Sequence, residues 1–157
     1  LLRFEVGCAR AAMVHVSEDG RRLAFAPEAD SIPFPGGMTK FAMRRDPSHP
    51  ARWWCLGNDQ TAFGLPRPPR PREFAPGAHR NVLVVASSEN LRNWTIRATV
   101  ASHPDCQRVA FQYPDFIFDG EDLLVVSRTA WGDAHAPHDA NYLTFHRLRL
   151  EPEVPRA

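Results

Sequence analysis

The chain has 157 residues, 43% of them hydrophobic and 24% charged, with a formal net charge of +1, enough for one globular domain with a real core. No stretch approaches about 18 uninterrupted apolar residues, so no membrane-spanning helix is predicted. The arginines are scattered rather than gathered in runs, which leaves no electrostatic footprint for nucleic acid.

In chain order, apolar runs rich in Val, Phe, Trp and Leu alternate with turn clusters, and no stretch holds a 3.6-residue period for three turns. This predicts an all-β chain with strands near residues 2–6, 11–17, 23–25, 38–45, 53–56, 81–87, 95–100, 112–118, 123–128 and 141–148. Hairpin turns are predicted at EDG 18–20, DPSHP 46–50 and DGED 119–122, each supplying the Gly, Pro or Asp that tight turns need. The loop at 59–79 contains PRPPRPR at 66–72, too rich in proline for strand or helix, and is expected to be extended and to sit on a rim.

Three cysteines, Cys8, Cys55 and Cys106, show no C-x-x-C spacing, so neither a zinc site nor a complete disulfide framework is predicted. His135, His138 and Asp139 have ligand chemistry but not a diagnostic spacing, and no metal or other cofactor is assigned. The chain opens on Leu1 without an initiator Met and is expected to start inside a strand, so a missing leader peptide says little about location. Lys40 is a lone lysine beside eighteen arginines, a place where a compact point charge is wanted or a chance surface residue.

An internal repeat organises the chain. VHVSEDGR at 14–21 aligns with VASSENLR at 85–92, an offset of 71, and each third strand of the unit begins with asparagine, Asn81 and Asn141. The unit reads as strand, hairpin, strand, long loop, strand, turn, strand. Such a unit is the expected form of a β-propeller blade, which buries its faces only against neighbouring blades. The alternative is a ten-stranded sandwich. The expectation is therefore a partial β-propeller of about two and a half four-stranded antiparallel blades. It has a remnant at about 1–27, blades at about 38–100 and 111–149, and a tail at 151–157. Missing N-terminal blades, or a second copy, would be needed to close the ring.

Up-and-down chain paths put the loops leading into first strands and the loops joining second to third strands on one face. That places Lys40, Tyr113, Asp115, Arg128, His138, Asp139 and Asn141 around a channel mouth. Simple alternation points Tyr113 and Asp115 together and Gln112 away. A phenol beside a carboxylate can be activated as a nucleophile, and a buried carboxyl can serve as a general acid. Tyr113 is equally a packed aromatic, and Asp115, after Pro114, equally a turn residue. Arg128 can grip a carboxylate or sugar hydroxyls, or bridge structurally to Asp115 or Asp139. His138 and Asp139 are expected as an orienting hydrogen-bonded pair.

The SENLRNW stretch at 88–94 resembles the blade turn of propeller glycosidases of the arabinanase and fructosidase kind and is similar to a degenerate sialidase Asp box. GGMTKF at 36–41, RNVL at 80–83, FQY at 111–113, SRT at 127–129 and HDANYLTFH at 138–146 together look like the C-terminal half of bacterial sialidase-like propellers. The resemblance spans roughly residues 10–148 and implies a six- or five-bladed propeller acting on glycans. It departs from the family in lacking the Gly and Thr before Trp94, and it offers one visible arginine, Arg128, where sialidases use three.

On this reading the chain is a carbohydrate-active propeller, an exo-acting glycoside hydrolase in which Tyr113 or Asp115 acts at the anomeric centre. Lys40 and Arg128, with Gln112, Asn81 and Asn141, hold the sugar, and His138 and Asp139 orient it or transfer a proton. The rival readings are a non-catalytic glycan binder using Trp53, Trp54 or Trp131 as stacking platforms, and a protein-interaction propeller.

Overall fold

The structure, a computed structural model, describes residues 1–3, 9–61 and 76–150. It is all-β in character, built of antiparallel sheets that follow one another along the chain. The predicted strand at 2–6, the proline-rich run at 66–72, Cys8 and the tail at 151–157 fall wholly or partly outside the described residues.

The N-terminal region departs most from expectation. Strands β1 (Leu2–Arg3), β2 (Arg10–Ala12) and β5 (Ser31–Pro33) form one sheet in the order β1-β2-β5, while β3 (His15–Val16) and β4 (Leu23–Ala24) form a separate hairpin. The single strand predicted at 11–17 is thus two strands in two sheets. The chain breaks at Met13, whose N–H donates to the Asp30 carbonyl. A four-residue helix, α1 (Pro27–Asp30), and β5 were not predicted. Pro33 argues against a strand in sequence, yet β5 is an edge strand, where a missing N–H costs no ladder bond.

The rest follows the predicted order closely. β6 (Ala42–Arg45), β7 (Trp53–Asn58), β8 (Val82–Ser88) and β9 (Thr95–Ser102) form a four-stranded antiparallel meander. β10 (Ala110–Asp119), β11 (Asp122–Ala130) and β12 (Tyr142–Arg149) form a three-stranded one. Residues 38–41 lead into β6 without being strand. Among the described residues no sheet closes on itself.

The repeat is visible as atoms. In the first copy Asp19 accepts the Arg21 N–H at 3.1 Å, the Ser17 hydroxyl bonds Asp19, and Gly20 has φ 68°. In the second copy Asn90 accepts the Arg92 N–H at 2.9 Å, the Ser88 hydroxyl lies 3.3 Å from Asn90, and Leu91 has φ 60°. Both are turns held by a short polar side chain over a left-handed residue.

Packing is layered. Ala11, Ile32 and Phe34 of the N-terminal sheet and its continuation cover Cys55, with Met43 and Trp94 alongside. The other face of the four-stranded sheet, through Trp54, Leu56, Leu83 and Val85, buries against Phe111, Phe116, Leu123 and Val125 of the three-stranded sheet. Burial also raises the Cys55 thiol well above its ordinary range, so it packs as a small apolar group.

Candidate anion-binding site

The site grows from a defect in β10. Gln112 pairs with Arg128 and Asp115 with Val126, so Tyr113 and Pro114 together oppose the single residue Ser127. Pro114 has no N–H to give a ladder, and such a bulge on an edge strand is where a proline can sit. Tyr113 takes φ 46° there, a left-handed backbone that costs a non-glycine residue roughly 1 kcal/mol or more. The bulge overturns the simple alternation predicted for this strand.

Three cations, two from loops and one from a strand, lie around the exposed Tyr113 ring. The Lys40 ammonium is 4.6 Å from its centroid, the Arg128 guanidinium 5.4 Å and the Arg80 guanidinium 5.7 Å. Lys40 stands just before β6, Arg80 just before β8, and Arg128 near the end of β11. Arg80 is only 7% exposed. Its Nε donates to the Gly77 carbonyl at 3.0 Å and its Nη1 to the Gln112 side-chain oxygen at 3.2 Å. Gln112, fully buried, donates onward to the Pro137 carbonyl, and Arg128 donates to the His138 carbonyl at 2.8 Å.

The predicted convergence of loops is present. Asn58, 1% exposed, donates to the carbonyls of both Arg80 and Phe111, at 3.2 and 2.8 Å, and the Phe111 N–H returns to Arg80 at 2.8 Å. The Met38 N–H bonds the Gln60 side chain, and the Gln60 N–H bonds Pro35. Gly36 is required here, since a Cβ on it would lie 2.9 Å from the Asn58 carbonyl oxygen. These bonds lock the loops that carry Lys40, Arg80 and Tyr113 to one another.

Electrostatically the site is one-signed. Among the described residues no carboxylate pairs with Lys40, Arg80 or Arg128. Arg80 is thus a buried guanidinium whose hydrogen bonds run to a neutral carbonyl and a neutral amide. The Arg80 hydrogen bond holds the Tyr113 phenol below its ordinary range, partial burial opposes this, and the charges of Arg80, Lys40 and Arg128 reinforce it. Burial, then the same two arginines, hold the His138 imidazole below its ordinary range.

The remaining predicted residues lie as follows. Asp115 is engaged by Arg44 at 2.8 Å and accepts the Phe116 N–H, so its partner is neither Tyr113 nor Arg128. Asp139 accepts the His135 backbone N–H at 3.0 Å, tying its own loop instead of pairing with His138. Asn141 brackets Trp131, donating to its carbonyl and accepting its N–H, and Asn81 donates to the His103 carbonyl; both fasten strand ends. Trp54 is buried and donates to Asp46, Trp53 lies under Arg45, and Trp131 is exposed beside His103. No cluster of metal-ligating side chains occurs among the described residues.

Arg80 is the member that sequence reasoning missed. One arginine among eighteen carries no signal by type, and the pointers to it were its place directly before Asn81 at a strand start and its membership of the RNVL stretch at 80–83. Compared with protein-family models, curated proteins and solved structures, the chain matches none.

Proposed function

We propose that this chain is part of a carbohydrate-active β-propeller whose site takes an anionic sugar, with Lys40, Arg80 and Arg128 receiving the sugar's carboxylate. The observation that carries the reading is the set of three cations around Tyr113, none of them paired with a carboxylate among the described residues. The stacked antiparallel meanders and the duplicated turn at Ser17 and Ser88 support the propeller. Arg80 stands beside Arg128 as a second arginine, and Lys40 supplies the third cation of the proposed carboxylate site.

In the hydrolytic form of this reading the Tyr113 phenol, acidified by Arg80, gives its proton to water and its oxygen bonds the anomeric carbon as the glycosidic C–O bond breaks. The leaving oxygen takes a proton from solvent, and a water molecule then displaces Tyr113 to release the free sugar, the route of the exceptional tyrosine glycosidases. The strained Tyr113 backbone fits a residue held for function. A second reading, capture of an acidic glycan without turnover, is favoured by Asp115, the nearest carboxylate along the strand, being committed to Arg44. A panel of chromogenic glycosides of acidic and neutral sugars separates them. Release of the chromophore from acidic glycosides alone, lost in Tyr113→Phe, supports hydrolysis. Binding without release supports capture, and equal behaviour of neutral glycosides sinks both.

A further inference from the structure

Gln112 is expected from the sequence to hold the sugar, but it is fully buried and so lies behind the site instead of touching a ligand in it. It sits between two groups with opposite demands. The Arg80 guanidinium, which can only donate, gives an Nη1 hydrogen to the Gln112 side-chain oxygen at 3.2 Å. The Pro137 carbonyl, which can only accept, takes a hydrogen from the Gln112 side-chain nitrogen. A primary amide meets both at once, because it accepts at one atom and donates at the next. Glutamate, of the same length, would satisfy Arg80 and turn an acceptor on Pro137, and methionine would satisfy neither.

The amide is also uncharged, and this sets Arg80 apart. Several other arginines among the described residues meet carboxylates: Arg44 meets Asp115 at 2.8 Å, Arg108 meets Asp105 at 2.9 Å and Arg92 meets Asp30 at 3.4 Å. Those three side chains are partly exposed, whereas Arg80 is buried. The guanidinium hardest to keep charged in the fold is thus the one given a neutral partner. Burying a charge is costly unless it is paired, so stability alone favours a carboxylate at position 112. An amide holds the guanidinium in place and leaves its charge for a ligand.

Pro137 is followed by His138, whose carbonyl accepts from Arg128 at 2.8 Å. Consecutive carbonyls of one loop therefore anchor both arginines, Arg128 directly and Arg80 through Gln112. We propose that Gln112 is a positioning and specificity residue of the anion site: its amide fixes Arg80 against the loop that also anchors Arg128, and its neutrality reserves the Arg80 charge for the ligand's carboxylate. This role rests on the anionic-sugar reading for the identity of the ligand. The Tyr113 phenol reports on it without any ligand, because Arg80 is the chief cause of its acidity, with Lys40 and Arg128 the other charges that act on it.

The test compares Gln112→Glu with Gln112→Met in a Tyr142→Phe background. Both remove the bond to Pro137, so the difference between them reports the charge on Arg80. Tyrosinate absorbance is expected to show the Tyr113 phenol titrating highest in Gln112→Glu, lower in Gln112→Met and lowest where Gln112 is kept. Titration calorimetry with methyl glucuronide is expected to give binding weaker by roughly tenfold or more in Gln112→Glu, with a smaller loss in Gln112→Met. Thermal melting is expected to show Gln112→Glu folded, because its carboxylate pairs with Arg80. Should Gln112→Met not fold, Arg80→Met replaces it as the reference, and the Gln112→Glu phenol is expected to approach the Arg80→Met value. A phenol that titrates alike with Gln112 and with Glu, one moved as far by Gln112→Met as by Gln112→Glu, or a Gln112→Glu chain that does not fold would overturn the role of Gln112. If the protein with Gln112 in place binds no glucuronide, the anionic-sugar reading is the one that fails, and the phenol series still decides the role of Gln112.

Discussion

Arg80 and Tyr113 meet with the guanidinium 5.7 Å from the ring centroid, a buried charge on a neutral phenol. Arg80 reaches this place because Asn58 and Gln112 hold its loop and its head, and Tyr113 because a bulge turns it out of the strand ladder. The same contact explains why the phenol is acidified.

That acidification is measurable, since Tyr113 and Tyr142 are the only tyrosines. In a Tyr142→Phe background, tyrosinate absorbance should report Tyr113 titrating below an ordinary phenol. Arg80→Met should return it toward the ordinary range, because the largest cause is removed. An unchanged titration in Arg80→Met would contradict the assignment.

The duplicated turn makes a paired prediction. Leu91 occupies the left-handed position that Gly20 holds in the other copy. Leu91→Gly should stabilise by about 0.5 kcal/mol, because relief of roughly 1–2 kcal/mol of backbone strain outweighs the entropy of a new glycine. Gly20→Ala should destabilise by about 1 kcal/mol. Denaturant midpoints measure both, and shifts of the opposite sign would mean the turns are not equivalent.

Asn58 should be costly to lose. Asn58→Ala leaves the buried carbonyls of Arg80 and Phe111 without this donor, a loss of about 2 kcal/mol. Asn58→Asp should cost more, since a carboxylate turns acceptors toward acceptors. Urea unfolding gives the stability. Titration with an acidic glycoside should show weaker binding in both variants, as Arg80 is released from its loop.

Much of this was legible in the sequence because it is local. Turn residues at 18–20 and 119–122, alternating apolar runs and the Ser-x-Asx turn all act over a few residues, and they gave nearly every strand from β6 onward. The break of 11–17 was hidden, because it depends on Met13 finding the distant Asp30 carbonyl. The nearness of Lys40, Tyr113 and Arg128 was legible, since strand order alone puts them on one face. The places of Gln112 and Asp115 were not, because a two-residue bulge swapped Gln112 into the cluster while Arg44, from another sheet, engaged Asp115. Arg80 was hidden for the same reason, its role being set by tertiary contacts with Gly77, Gln112 and Tyr113.

The N-terminal region should be acid-labile. The Ala26 N–H, then His15 and Arg92, hold the Asp30 carboxyl below its ordinary range. The folded value lies below the unfolded one, so this stabilisation is complete above the ordinary carboxylate range and is lost as pH falls from that range through the lowered folded value. Stability measured over a pH series should decline on the acid side, and Asp30→Asn should flatten that decline. An equal slope in the variant would assign the acid sensitivity elsewhere.

The most direct measurement is calorimetric titration of an acidic monosaccharide glycoside, and of its neutral analogue, into wild type and Arg80→Met at two salt concentrations. Binding of the acidic compound only is expected, weakened by salt and lost in Arg80→Met while the fold is retained. Equal binding of both compounds, or binding indifferent to salt and to Arg80, would contradict an anion site built on Lys40, Arg80 and Arg128.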